Sequence, residues 1–391
     1  MSALSGYRVL ELAESPGGEY CGKLLADFGA DVIKLEKPGG GSPTRAMGPF
    51  PADAGGTECS GLFAFLNTNK HSVALDLAQD GGVLAKLLER VDVVIDDHAP
   101  GWLQSIGLDP AQLHGTRQRL VLCSITAFGQ SVAEDLTHAE DLTVFHSSGW
   151  GYHTPTAADD DLPPLKGPGR FLASYEAALD AALCIVAALY EREESGKGQF
   201  IDIAKQQVLA SRVDYVLGQM VAGDMDVSTR RTAFDLFGPA GIFACREGYA
   251  YIWMSAPAHW EGLGRLLGHP EWMREFPEHW LERACTPERV AKVRSEIAKW
   301  LKTQDKNQVA ADAQKLGLTL VPVNNARDLH ASPQYRHREY FAQVQHPVLG
   351  TLSYPGVPYK FSVTPAKIRT AAPLLGQHTA EQLAALDKSH D

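Results

Sequence analysis

The sequence predicts an α/β fold on a mostly parallel sheet, with a smaller α+β domain further along the chain. Three observations carry this expectation. Short apolar runs alternate with helix-period segments as far as Thr126, Gly29 closes the first helical segment, and near Arg230 the texture changes to hairpins and helices.

"YRVLEL" (7–12) reads as the first strand, 18–29 as a helix stopped by Gly29, and "DVIKLE" (31–36) as the second strand, together a βαβ unit. A helix at 81–90, a strand at 92–97, a short helix at 110–117 and a strand at 120–126 continue the rhythm. Such alternation predicts a parallel sheet covered on both faces. Ligands of these sheets gather outside the carboxyl ends of the strands, here the loops 13–18, 37–48, 97–101 and 127–140. Segment 37–60 is too rich in Gly and Pro for regular structure, and its "GGG" is not a G-x-G-x-x-G fingerprint, so a dinucleotide fold proper is not expected. Further on come a helix at 173–194, a strand at 200–204, a helix to about residue 222 and a hairpin at 241–255. Two helical stretches follow, then paired strands at 346–362 and a short terminal helix, "TAEQLAALDK".

With 391 residues, 45% of them hydrophobic, the chain exceeds what one core usually serves. The net charge of -11 and the scattering of 36 basic residues argue against nucleic acid as a partner, so an anionic ligand must be held by local groups. Six separated cysteines with no C-x-x-C pair read as reduced thiols, and fourteen histidines without ligand spacing indicate no metal. Neither a signal peptide nor a membrane-length apolar run is apparent, which leads us to expect a soluble cytoplasmic protein with no membrane partner. H-E-x-x-H, G-x-S-x-G and the P-loop are all missing. The Gly-rich turn in "AESPGGEYCGKLLADFG" opens a helix whose N-terminus suits either an anion or a plain cap.

Five ordered segments carry a more specific signal: "GYRVLELAESPGGEYCGKLLADFGADVIKLEKPGG", "FLNTNKHSVALDL", "AALCIVAALYEREESGKGQFIDIA", "VPVNNARDL" and "APLLGQHT", running from Gly6 to Thr379. Together they resemble the class III CoA-transferases, of the formyl-CoA transferase and carnitine dehydratase type. The resemblance implies a Rossmann-like large domain formed from both chain ends, 1–222 and 331–391, with a small domain at 223–330 inserted between them. It also implies an interlocked dimer, coenzyme A bound as acyl-CoA, and a carboxylic acid as second substrate. Lys37, Asn69, Lys70 and Gly101 become the implied contacts to CoA phosphates or adenine.

The same resemblance exposes a departure. Family transferases carry "ADYxAG" at the helix start, and its Asp is the nucleophile that forms mixed anhydrides and an aspartyl-CoA thioester. Here the segment reads "ASYEAA", which puts Ser174 at that position. The family's "ENFRPG" appears as "DDHAPG", with Ala99 for arginine, and "GFGxxGP" as "AFGQSVAED". Where the racemase branch has His in "GHD", this chain has Glu140 in "AEDL". Three readings follow: a transferase subunit paired with an Asp-bearing homologue, an acyl-CoA lyase, hydratase, racemase or isomerase using Glu140 or Asp141, and a conventional homodimeric transferase. Glu176 lies about 200° round the helix from Ser174 and is a poor substitute. Trp253, Met254, His259 and Trp260 are implied to close over the acyl group, although core packing accounts for the aromatics as well.

Overall fold

The computed structural model describes residues 2–51, 55–133, 136–137, 139–153, 169–223 and 238–387. Glu134 and Asp135, the acidic neighbours of Glu140, and the boundary near 223 lie outside the described residues, as does most of the loop before Ser174.

Six strands form one parallel sheet: β1 (Arg8–Glu11), β2 (Asp31–Glu36), β3 (Lys70–Ala74), β4 (Val93–Asp96), β5 (Val121–Thr126) and β6 (Phe200–Ala204). Their order is β3-β2-β1-β4-β5-β6. This is the order of doubly wound dinucleotide-binding sheets, adopted without the glycine fingerprint. Strand order follows from packing the apolar faces, whereas the fingerprint serves a particular ligand.

Alternate strand residues feed two cores. Val9, Val32, Val93 and Val121 share a core with α1 (Pro16–Asp27) and α4 (Leu172–Ser195), while α2 (Gly81–Leu88) lies on the other face and α3 (Asp141–Ser147) comes before α4 in the chain. Leu10, Ile33, Val94 and Leu122 face Leu84, Leu87 and Leu88 of α2 on the other side. α4 lays small residues, Ala177, Ala178, Ala181 and Ala188, into the first core. By length and composition α4 could cross a membrane; here its inner face is packed while Leu179, Leu183, Val186 and Tyr190 are exposed on the other. The expected single helix after β6 is instead two, α5 (Lys205–Ala210) and α6 (Asp214–Ala222).

The chain divides into two compact units, one of Met1–Thr154, Pro164–Met225 and Glu339–Asp391, the other of Pro155–Pro163 and Asp226–Arg338. The second holds an antiparallel sheet of β7 (Gly241–Ala244), β8 (Tyr249–Trp253) and β9 (Thr319–Val323), with α7 (Pro257–Leu267), α8 (Pro287–Leu301) and α9 (Lys306–Lys315). Met254 is buried in its core, and Trp260 packs edge-on to Trp272 and Trp280, so these two residues build the unit's interior. Trp253 is exposed, its ring 6.4 Å from that of His259.

In the first unit, β10 (Phe341–His346) and β11 (Gly350–Pro355) form the C-terminal hairpin, earlier in sequence than expected because the turn falls at 347–349. The chain then runs along the sheet edge. Ser72 N–H donates to His378 Nδ1 (3.2 Å), Ala74 N–H to Thr379 Oγ1 (2.9 Å), and Gly376 N–H to Ser72 Oγ (2.8 Å), before α10 (Thr379–Asp387).

Candidate active site

β1 and β4 lie side by side, and their outgoing connections turn to opposite ends of the sheet, which opens a crevice at their carboxyl ends. Asp97, directly after β4, reaches across it. Its carboxylate accepts the N–H groups of Glu14 (2.8 Å), Ser15 (2.9 Å) and Gly18 (3.2 Å) and the hydroxyl of Ser15 (2.5 Å). The N-terminus of α1 is thus capped by the protein's own carboxylate. Gly18 is required here, since a Cβ would stand 2.7 Å from Asp97 Oδ2. Burial pushes the Asp97 carboxyl up, against the pull of these hydrogen bonds.

His98 follows. Its Nδ1 is 2.8 Å from Asp96 and its Nε2 3.5 Å from Glu14, and its ring stacks on Trp102 at 3.6 Å between centroids. Burial opposes the charged form, but the two carboxylates prevail and push His98 up to about 9, while the hydrogen bond from His98 holds Glu14 below its usual range. A raised histidine stabilises the fold in full below its ordinary pKa of 6.5 and loses this contribution as pH rises through about 9. His98→Gln is therefore expected to cost on the order of 1–3 kcal/mol in urea denaturation at pH 6, with the deficit gone near pH 10. A deficit of equal size at both pH values would refute this account.

The family's nucleophile position is the next feature. Ser174 sits in the first turn of α4 and is 1% exposed. Its N–H donates to Asp141 Oδ2 (2.9 Å) and its hydroxyl to Asp141 Oδ1 (2.8 Å), while Lys205 Nζ donates to Ser174 Oγ (2.9 Å) and lies 3.4 Å from Asp141 Oδ1. Asp141 opens α3 and Lys205 opens α5, so three helix starts meet at one hydroxyl. The sequence shows no base beside Ser174; folding supplies Asp141 and Lys205. Lys205 was detectable only as the residue that follows a strand at its carboxyl end. Glu140 lines the same cavity, whereas Glu176 pairs with Arg212 at 2.9 Å.

Two cavities meet over Glu14 and His98. The one containing Ser174, of about 470 Å³, carries Asp97, Glu140, Asp141 and Lys205 in its wall beside Met47, Ile125 and Phe171. Its neighbour, of about 570 Å³, is walled by Leu12, Leu35, Leu75, Trp102 and Ile106 together with the carboxylates Glu14, Glu36 and Asp76, with Lys37 at its edge. Of the four implied CoA contacts, Lys37 is exposed beside this cavity, 3.9 Å from Glu14, and Gly101 holds the left-handed backbone (φ 91°) that leads into Trp102.

Asn69 and Lys70 are committed elsewhere. Asn69 donates to Asp27 (2.6 Å) and accepts the N–H groups of Arg369 and Thr370, tying down the returning chain. Lys70 is buried, with Nζ donating to Glu11 Oε2 (2.7 Å), the Glu19 carbonyl (2.7 Å) and Asn67 Oδ1 (2.8 Å). Its ammonium points into the protein, toward a carboxylate that needs it. Lys34 completes the network, 3.1 Å from Glu11 and 2.9 Å from Glu19. Gly22 leaves room for it, since a Cβ would fall 1.7 Å from Glu11 Oε2. Among the described residues no group of three or more His, Cys, Asp or Glu side chains is placed to hold a metal.

Comparison with known proteins gives this geometry its context. The profile of CoA-transferase family III matches residues 4–379. The chain is 29% identical to succinyl-CoA:mesaconate CoA-transferase of Haloarcula marismortui, over 98% of this chain and 96% of that one. It is 28% identical to succinyl-CoA:(R)-benzylsuccinate CoA-transferase subunit BbsE of Thauera aromatica, over 97% and 93%. A crystal structure of a CAIB/BAIF family protein from Brucella suis superposes with a TM-score of 0.83 at 27% identity, covering 99% of this chain and all of that one. The chain belongs to CoA-transferase family III, whose members use CoA thioesters as substrates.

Proposed function

We propose that this chain is a subunit of an acyl-CoA:carboxylate CoA-transferase that has no nucleophilic carboxylate of its own and works with an Asp-bearing homologue. The observation that carries the reading is Ser174, buried and bonded to Asp141 and Lys205 where the family's Asp is expected. In the family route the side-chain carboxylate attacks the thioester and releases CoA thiolate. The thiolate then attacks the side-chain carbonyl of the resulting mixed anhydride and expels the donor acid as its carboxylate, so CoA rides on the enzyme as a thioester. A serine has no carbonyl for that second step, and an ester on its oxygen carries the acyl group instead of CoA.

A relative that is itself named a subunit supports pairing, and relatives named for succinyl-CoA support an acyl-CoA and a carboxylic acid as substrates. The cavity beside Lys37, with Leu12, Leu35 and Trp102 in its wall, suits the CoA moiety, with the thioester directed to Ser174. The exposed stripe Leu179, Leu183, Val186 and Tyr190 on α4 suits a second subunit, and six unpaired cysteines suit the cytoplasm.

The test is to purify the chain alone and co-expressed with an Asp-bearing paralogue, and to assay succinyl-CoA against a panel of carboxylic acids. We expect exchange only from the mixed species, with hydroxylamine converting the partner's aspartyl-CoA thioester to a hydroxamate and releasing CoA. Exchange by this chain alone would reject the reading. One observation favours a second possibility: Asp141 places a carboxylate 2.8 Å from Ser174 Oγ in the same cavity. A hydroxamate mapped to Asp141 selects a homodimeric transferase; turnover without an acceptor acid, abolished by Glu140→Gln or Asp141→Asn, selects a lyase, hydratase, racemase or isomerase.

A further inference from the structure

A third cavity lies at the opposite, amino-terminal end of the sheet, where β1, β4 and β5 begin. It measures about 690 Å³, within the roughly 300–1,000 Å³ of small-molecule sites, and five arginines line it: Arg8, Arg90, Arg117, Arg119 and Arg192. Among the described residues, Glu89 and Asp92 are the carboxylates that line it. On a chain of net charge -11 this is a local excess of positive charge.

Some of that charge is already used. Arg8 pairs with Asp31 at 2.8 Å, and Arg90 donates to the carbonyls of Ala385 and Leu386. Arg192 is 2% exposed and donates to Asp92 (2.8 Å) and to the Arg119 carbonyl (2.9 Å). Its Nε is nevertheless buried without a hydrogen-bond partner, and so is Nε of Arg117. Among the described residues no carboxylate lies within 4.0 Å of the Arg117 or Arg119 guanidinium. A buried donor left unpaired costs free energy, and the half-buried Arg117 and exposed Arg119 add positive charge without a counter-charge at the same wall.

From these observations we propose that this cavity is an anion site, separate from the Ser174 site, that takes a small phosphorylated molecule. Guanidinium forks match oxyanions, and the forks of Arg117 and Arg119 together offer more donors than the two oxygens of a carboxylate take up, which suits a phosphate better. The volume leaves room for an organic portion beyond the phosphate.

Inorganic pyrophosphate is the probe, titrated by calorimetry into the full chain, with succinate and CoA titrated separately. Arg117→Ala/Arg119→Ala is the test variant, because neither residue holds the core as Arg192 does. We expect pyrophosphate to bind the wild type, to lose at least about tenfold in affinity in the variant and to bind tighter than succinate, while CoA binding stays unchanged. Absence of pyrophosphate binding, binding that the variant does not weaken, displacement of pyrophosphate by CoA, or a preference for succinate would each overturn the proposal. The readout is independent of CoA exchange, so failure here leaves the subunit reading standing, and the reverse.

Discussion

Replacing Lys34 by methionine is expected to cost about 3–5 kcal/mol of folding stability in chemical denaturation at pH 7. Lys34 stands between Glu11 and Glu19, and all three side chains are fully buried. Without it, Lys70 alone faces two carboxylates in a dry interior. The charges around Lys34 already hold its ammonium well above the usual range, against burial, whereas burial pushes Glu11 up even with both lysines present. In the variant these carboxyls are expected to protonate more readily, so the deficit should shrink as pH falls. Glu11→Gln combined with Lys34→Met should recover part of the loss, since it removes the charge left behind. A loss below about 1 kcal/mol for the single variant would mean that the network contributes little.

Ser174→Asp is expected to give the chain CoA exchange of its own. Loss of a nucleophile costs on the order of 10⁶ in kcat in well-studied hydrolases, so even an imperfectly placed carboxylate should raise exchange at least about 10²-fold above the unsubstituted chain. Lys205, 2.9 Å from the present hydroxyl, would pair with the new carboxylate and offset its repulsion from Asp141. Succinyl-CoA should then yield a hydroxylamine-sensitive adduct at residue 174. If the variant folds, binds CoA and still shows no exchange, the other departures, Ala99 among them, have also disabled the site.

Much of this was readable in advance. β1, β2, β4 and β5 announced themselves because their apolar runs are buried on both faces. β3 did not, because "KHSVA" carries a lysine, a histidine and a serine whose partners, Glu11, Asp31 and Glu36, come from other strands. The resemblance implied Lys70 as a CoA contact, and nothing in its own segment spoke against that: a lysine's neighbours thirty or more residues away decide whether it faces solvent or a buried glutamate. Ser174 could be singled out by resemblance alone. Its grip by Asp141 and Lys205 could not, since the three belong to different helices.

The returning segment that lies along β3 has a consequence for how the molecule assembles. Ser72 and Ala74 find partners in Gly376, His378 and Thr379, some three hundred residues later. A polypeptide emerging from the ribosome therefore has its first sheet strands, yet leaves the edge of that sheet unshielded until the second unit has also been made. Contacts of such long sequence separation are slow to form, and an uncovered strand edge is open to pairing with other chains in the interval. The few hydrogen bonds at residues 376–379 can close only late in synthesis, and until they do the backbone of β3 is open to pairing with other chains.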